Sequence, residues 1–358
     1  MSERSDDRRI DAAALTDAVA ATFVAAGCTA GEAATIADAL VEANLFGHDS
    51  HGVGLVPRYV ANLREGLVLA GRTVRVVADH GALVGMDGQR GFGQVIAEQA
   101  MAIAIERARA TGVCVAGLAN AHHVARIGRW GEQCAAAGFA SVHFVNVLST
   151  PLVAPHGGTD ARLATNPFCV AVPHAPHPIV LDYATSMVAL GKVRVALDAG
   201  VPMAEGLLLD AQGRPTTDPG VMFADPIGAL LPFGEHKGYA LAVMCELLGG
   251  ALSGGQVQDR LHVPSPMINN MLSIVFAPDR LAGRARFDAQ VERLAAWLRG
   301  SPRNPDVDGI HLPGEPERAT ARKRLRDGIP LPLPTREALA AAARSVGCDV
   351  FDRYVSDP

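Results

Sequence analysis

GQVIAEQAMAIAIERARATGVCVAGLANAHHVARIGRWGEQCAAAGFASVHFVNV, residues 93–147, is the stretch on which the fold turns. Its first part carries apolar residues at helical spacing and stops on Gly112. VCVAGLAN (113–120) is a short apolar run of strand type, GRWGEQCAAAG (128–138) is helical again, and FASVHFVNV (139–147) is a second strand. Helix and strand alternating in this way predict an α/β architecture, a sheet covered by helices.

Working outward, residues 74–87 alternate like strands and turn at Asp87-Gly88. LATNPFCVAVP (163–173) and IVLDYATS (179–186) read as extended, and 198–236 is polar and rich in Gly and Pro. KGYALAVMCELLGGAL (237–252) reads as a strongly apolar, buried helix. Upstream, residues 10–45 are alanine-rich with Leu15, Val19 and Phe23 at helical spacing, a stop at Gly27 and a second helix from about Gly31. A break at Gly47 leads into a third helix that ends near Gly66. Seven prolines among residues 301–334 suggest an extended wrap or linker, followed by a last helix, TREALAAAARSVG. The expected organisation is a helical domain of residues 1–75, joined by 300–358, and an α/β domain of residues 76–299.

The 358 residues are 49% hydrophobic and 19% charged, enough apolar material for two domain cores. A net charge of -5 gives no general attraction to nucleic acid or anionic membrane, so a small-molecule partner is expected. The charged start MSERSDDRRI has no apolar segment of a leader, and no run is long enough to span a bilayer. Six scattered cysteines without a C-x-x-C pair fit neither a disulfide framework nor a zinc site; they suggest a reducing, cytoplasmic setting.

A dinucleotide fold of the common kind would show G-x-G-x-x-G between strand and helix. Here Gly91-Phe92-Gly93 is followed by Ile96 at the third glycine position, so the segment reads as a turn and helix start, and a Rossmann fold is not supported. The histidines are more informative. His48 and His51 lie three apart around Asp49 and Ser50, a spacing that suits a hydrogen-bonded pair or metal ligation. His122 and His123 follow an apolar strand, where α/β sheets place ligands, and Arg126 lies three residues on. Asp182 reads either as a helix N-cap before Gly191-Lys192-Val193-Arg194 or as a binding residue. Lys237, at the start of a helix, opposes the helix dipole unless an anion sits there.

Taken together, HDSHGVGLVPRYV (48–60), NAHHVARIG (120–128), TNPFCVAVP (165–173), LDYATSMVALGKVRVA (181–196), GRPTTDP (213–219), LLPFGEHKGYALAVMCELLGGALSG (230–254) and LPGEPE (312–317) resemble the malate/L-lactate dehydrogenase family. That family is unrelated to Rossmann lactate dehydrogenases and also contains ureidoglycolate dehydrogenase and piperideine-2-carboxylate reductase. The likeness runs over roughly residues 10–345. It implies a non-Rossmann NAD(P)-binding fold, a homodimer, and reduction of 2-oxo acids or cyclic imino acids with NAD or NADP as cofactor. By motif, the resemblance makes His123 the acid/base and places His51 against substrate and nicotinamide. It assigns cofactor contacts to His51, Ala125, Arg126, Ile127, Asp182, Tyr183, Ala184, Lys237, Asn269, Pro313, Gly314 and Glu315. Two departures stand out. Leu55 occupies the place where many relatives carry a carboxylate-binding arginine, which leaves Arg58 or Arg126 for that task beside Ser50. Ala125 replaces a frequent glycine.

Hydride transfer to a ketone builds charge on oxygen, and a histidine with an ordinary pKa near 6.5 can supply the proton. No metal is required. Competing readings are a metal-dependent hydrolase built on the four histidines, a non-catalytic dinucleotide sensor, and reduction of a cyclic C=N bond.

Overall fold

The computed structural model describes residues 8–259 and 267–355; the start of the charged N-terminal segment lies outside them. The chain opens with β1 (Arg8–Ile10), α1 (Ala12–Ala25), α2 (Ala30–Leu45) and α3 (Val56–Arg64). Asp11 caps α1 by accepting from the Ala14 N–H at 3.0 Å, and Thr29 caps α2 through the Glu32 N–H. Two short 3₁₀ turns, Asp49–His51 and Val53–Leu55, replace the first part of the expected third helix. Next come β2 (Arg75–His80), β3 (Leu83–Asp87), α4 (Gly93–Thr111), β4 (Val113–His122), α5 (Gly128–Ala136), β5 (Ala140–Leu148), β6 (Phe168–Val172) and β7 (Ile179–Tyr183). The α4 helix ends where Gly112 takes a left-handed φ of 88°, as the glycine stop in the sequence implied.

Beyond these lie α6 (Leu190–Ala199) and a small sheet of β8 (Leu208–Leu209), β9 (Pro215–Thr216) and β10 (Ala229–Leu230). Then come α7 (His236–Met244), continued as a π-helix over Cys245–Leu252, and β11 (Ile268–Phe276). The chain closes with α8 (Pro278–Leu281), α9 (Arg284–Arg299), α10 (Glu315–Asp327), β12 (Ile329–Leu331) and α11 (Leu333–Arg344).

The main sheet has seven strands in the order β2-β3-β4-β11-β5-β6-β7. Only β3 and β4 run parallel; every other neighbouring pair is antiparallel. This mixed sheet is not the parallel sheet of a Rossmann domain. Its central strand, β11, comes from late in the chain and escaped the sequence reading. The two strands read from residues 113–120 and 139–147, β4 and β5, are not neighbours but flank it. Helices α4 and α5 cover one face, packing Ile96, Met101 and Trp130 on Cys114, Leu118, Val145 and Met271. The π-helical segment lies on the other face, where the Gly117 Cα sits against Ser253.

A second core joins α1, α2 and α3 to Ile329, Leu331, Leu339 and Phe351, so the C-terminus packs on the N-terminal helices. The β1–β12 pair adds a backbone tie between the same two regions. A smaller core around Val153, Val193, Leu208 and Leu230 gathers the polar, Pro-rich segment.

Two expectations need correcting. Residues 301–334 are no linker, because α10 and β12 lie within them. Their prolines fall where a missing N–H costs little: Pro316 in the first turn of α10, Pro330 on a short edge strand, Pro334 in the first turn of α11. The apolar run after Lys237 is helical but not wholly buried, since Met244, Leu247 and Leu252 are exposed.

Candidate active site

The site grows from the end of β4. Gly93 packs so closely that a Cβ there would lie 2.2 Å from the His122 carbonyl oxygen. Gly91-Phe92-Gly93 is therefore a packing turn that lets α4 begin beside the two histidines. The following loop is pinned at several points. Asn269 on β11 accepts from the Val124 N–H at 2.9 Å, and Trp130 donates its indole N–H to the Val124 carbonyl at 3.1 Å. Asp182 on β7 accepts from the Gly128 N–H at 2.8 Å. Asp182 is thus a cap, but for the start of α5 across the sheet and not for a helix that follows it in sequence. Ala125 holds φ at 61°, a left-handed conformation that glycine adopts more readily, so the departure noted in the sequence falls at a strained residue.

His51 arrives from the N-terminal helices. Asn44 at the end of α2 accepts from the Val53 N–H at 2.8 Å and donates to Asp49 at 2.6 Å. Arg324 of α10 grips Asp49 with two bonds of 2.7 and 3.0 Å. This frame places the His51 ring on the His123 ring, stacked at 5.6 Å between centroids and 23° between planes. Ser50 Oγ lies 3.0 Å from His51 Nδ1, and Gly191 at the start of α6 backs onto Ser50.

His123 has a second-layer partner that sequence reasoning missed. Tyr59 Oη lies 2.5 Å from His123 Nδ1, and Gln94 Nε2 donates to the same hydroxyl at 3.0 Å. Tyr59 and Gln94 are both buried. The signal in the sequence is Tyr59 one residue after Arg58 in the same motif, but nothing local pairs position 59 with 123. His122 turns away: its Nε2 accepts from Asn62 Nδ2 at 2.9 Å and its ring packs edge-on against Tyr59. The four histidines therefore divide, and among the described residues no three His, Cys, Asp or Glu side chains group as a metal site.

Burial governs the electrostatics. It pushes His51 down to about 4 and His122 to about 3, and it pushes His123 well below its ordinary value, with the His51 and His122 charges adding to the effect. His48 is lowered for the same reason, helped by Arg126. Burial raises Asp182, against the pull of Arg126. Arg126 itself is buried and ion-paired to Glu132, with Glu42 at 3.5 Å and Arg129 completing the group at 2.8 Å from Glu42. Its guanidinium also lies 4.4 Å from the Phe46 ring centre. Arg126 is thus held by carboxylates of its own protein; Arg58, exposed on α3, adds to the lowering of both His122 and His123.

The remaining candidate residues fall into two adjoining strips. Tyr183 closes β7 and Ala184 follows it; Tyr183 packs edge-on against Phe233, which lies two residues ahead of the strained Glu235 (φ 57°) and four ahead of the exposed Lys237. Pro313 lies beside β7, accepting from the Val180 N–H at 3.1 Å, and Gly314 and Glu315 lead into α10. Asn269 uses its amide on Val124 and on the Asn146 carbonyl, so its contribution is to shape the loop. A dinucleotide fits the donor set. Arg126 Nε is buried without a partner among the described residues, and Gly128 has no room for a Cβ, which would lie 2.4 Å from Arg126 Nη1 and 2.8 Å from Asp182 Oδ2.

A seven-stranded mixed sheet with the His51–His123 stack at the end of β4, framed by the N-terminal helices, is not the layout of a Rossmann domain. The profile described as malate/L-lactate dehydrogenase matches residues 10–340, and the chain belongs to that family. It is 48% identical to hydroxycarboxylate dehydrogenase B of Escherichia coli (strain K12), over 95% of this chain and 94% of that protein. It is 42% identical to an L-lactate dehydrogenase of Cupriavidus necator, over 79% of this chain and 82% of the relative. A solved E. coli structure described as a malate/lactate dehydrogenase superposes with a TM-score of 0.93 at 46% identity, covering 98% of this chain and 100% of that one.

Proposed function

We propose that the protein interconverts 2-oxo and 2-hydroxy carboxylic acids with NAD or NADP, His123 acting as acid/base. The observation that carries this reading is the His51–His123 stack, buttressed by Tyr59 and Gln94. The nicotinamide, when bound, supplies or accepts the hydride. The protein positions the acid and handles the proton.

With Gln94 Nε2 donating to Tyr59 Oη, the tyrosine hydrogen points to His123 Nδ1, and His123 carries its proton on Nε2. That N–H polarises the substrate carbonyl. An entering carboxylate raises the proton affinity of both stacked histidines, since an opposite charge favours the charged form. Once His123 is doubly protonated, Nδ1–H donates to Tyr59 Oη, and the Gln94 amide turns over so that Oε1, buried without a partner among the described residues, replaces Nε2 and accepts the tyrosine hydrogen. The same chain of three side chains thus serves both protonation states. His51 and Ser50 hold the carbonyl, and Arg58 takes the carboxylate, the role left open by Leu55.

The residues at 125–127, 182–184, Lys237, Asn269 and 313–315 form the cofactor path. The helical unit, 1–75 with 300–358, closes on the sheet unit, 76–299, and supplies His51 to it. The exposed apolar residues Met244, Leu247, Leu252 and Trp297 (80% exposed) support a homodimer. Six cysteines without a disulfide support a cytoplasmic setting.

The test follows the absorbance of reduced nicotinamide, offering NADH or NADPH with a panel of 2-oxo acids and cyclic imines. Oxidation that requires a 2-oxo acid and persists with chelator supports the reading. Turnover confined to cyclic imines moves it to C=N reduction, and failure to bind either dinucleotide removes it.

A further inference from the structure

A cavity of about 540 Å³ lies apart from the stacked His51 and His123, between the β6–β7 turn, α9 and the cavity-facing side of α10. On α10 that side is Glu315, Arg318, Ala319 and Arg322, the spacing of one helix face. Arg299 of α9 joins them, as do His174, His177 and His311. Two carboxylates, Glu292 and Glu315, oppose this positive lining, but both are already engaged. Glu292 meets His174 Nε2 at 2.9 Å. Glu315 is paired with Arg299 and accepts from the Leu312 N–H at 2.8 Å.

Arg318 and Arg322 are left over. Among the described residues neither has an ion pair. Arg318 is half-buried and steadied by one bond of 3.0 Å to the Pro178 carbonyl, which leaves most of its donors for a ligand. Arg322 stands exposed one turn on. Two guanidinium groups a helical turn apart, with the positive end of α10 beside them, suit a compact dianion such as a phosphomonoester.

The cavity sits at one end of a ruler. Ile179, the first residue of β7, lines it; Asp182 and Tyr183, at the other end of the strand, belong to the histidine site. At about 3.3 Å per residue the two ends lie roughly 13 Å apart, a span that an extended dinucleotide bridges. The Pro313–Glu315 turn runs along the same strand between them.

We propose that this cavity receives the 2′-phosphate of the cofactor and that the enzyme prefers NADPH to NADH. The proposal rests on the oxidoreductase reading and names the cofactor within it. Arg318 and Arg322 are the specificity-determining residues, and Glu315, held by Arg299, does not repel the phosphate.

The experiment titrates the purified full chain with NADPH and with NADH, reading the fluorescence of bound reduced nicotinamide, and repeats this for Arg322→Ala and for the double variant Arg318→Gln/Arg322→Gln. Melting temperatures are recorded with and without inorganic phosphate. The expected result is a Kd for NADPH at least ~10-fold below that for NADH, an advantage lost in the double variant while NADH binding stays within about twofold. Equal affinity of the unaltered protein for both dinucleotides overturns the proposal, as does an equal loss of both in the variants. Stabilisation by inorganic phosphate that needs both arginines, without any NADPH preference, assigns the cavity to a free phosphate compound and also overturns it. If neither dinucleotide binds, the oxidoreductase reading itself fails.

Discussion

The two ends of the proposed cofactor path are built on opposite principles. At the histidine end the groups are largely buried and hydrogen-bonded, and burial lowers the histidines while it raises Asp182: His123 leans on Tyr59, His122 on Asn62, and Asp182 on the Gly128 amide. At the arginine end they are open to water and charged, with two cations uncommitted. Low-dielectric preorganisation favours chemistry, because a dipole already in place costs nothing to reorient during reaction. An open cluster of cations favours selective capture of an anion. Substitutions at the first end should therefore act on turnover, and those at the second on affinity.

The sharpest test of this contrast is His123→Ala. Turnover should fall ~100-fold or more with Kd for the dinucleotide nearly unchanged; retained turnover would take His123 out of the acid/base role and erase the contrast. Asp182→Ala comes next, because it strips the acceptor from the Gly128 N–H and leaves Arg126 with one carboxylate fewer. Urea unfolding should show a loss of about 2 kcal/mol, and Asp182→Asn, which keeps an acceptor oxygen, should recover most of it. If the two variants unfold alike, the hydrogen bond is not what Asp182 contributes.

Tyr59→Phe probes the relay. It removes the hydroxyl and leaves the packing against His122 and Phe92 in place. Turnover should drop ~10-fold with KM little changed, and its pH profile should shift, since His123 Nδ1 loses its partner. A pH profile identical to that of the unaltered protein would reduce Tyr59 to packing.

The smallest effect is on stability in acid. His51, His122 and also His143, buried on β5 between the Ser141 and Ser273 hydroxyls, are held at about 4, about 3 and about 4 in the folded protein, against about 6.5 when unfolded. Between those values the unfolded chain binds more protons, so stability is fully present above pH ~6.5 and is lost as pH falls toward ~4. Thermal melts from pH 7 to pH 5 should show Tm falling by several degrees. A flat profile would mean the three rings are not held neutral.

Much of this was legible in the chain before any coordinates. The helical spacing of residues 12–45, the glycine stop at Gly112 and the apolar runs that became β4 and β5 are local signals, because each element carries its own buried face and its own cap. His122 and His123 stood out because a polar cluster after an apolar strand makes poor core, and His51 was singled out by its motif. What stayed hidden depends on distant partners. Ile268–Phe276 is the central strand, yet nothing in it says that it enters between strands formed more than a hundred residues earlier. The prolines of 301–334 suggested a linker because composition does not record that they fall at helix starts and on an edge strand.

The sequence by itself determined the class of fold and the family, since periodicity and motif order survive without tertiary contacts, and it singled out His51 and His123 as candidates. The tertiary structure alone decided which side chain steadies His123, that Asp182 caps a helix across the sheet, that Arg126 is held by carboxylates of its own protein, and that Arg318 and Arg322 face one cavity. Tyr59 and His123 are 64 positions apart and Asp182 and Gly128 are 54 apart, Glu42 reaches Arg126 from another helix, and the cavity faced by Arg318 and Arg322 has its other walls in the β6–β7 turn and α9. Such pairings follow from the packing of whole layers and not from the preferences of any short segment.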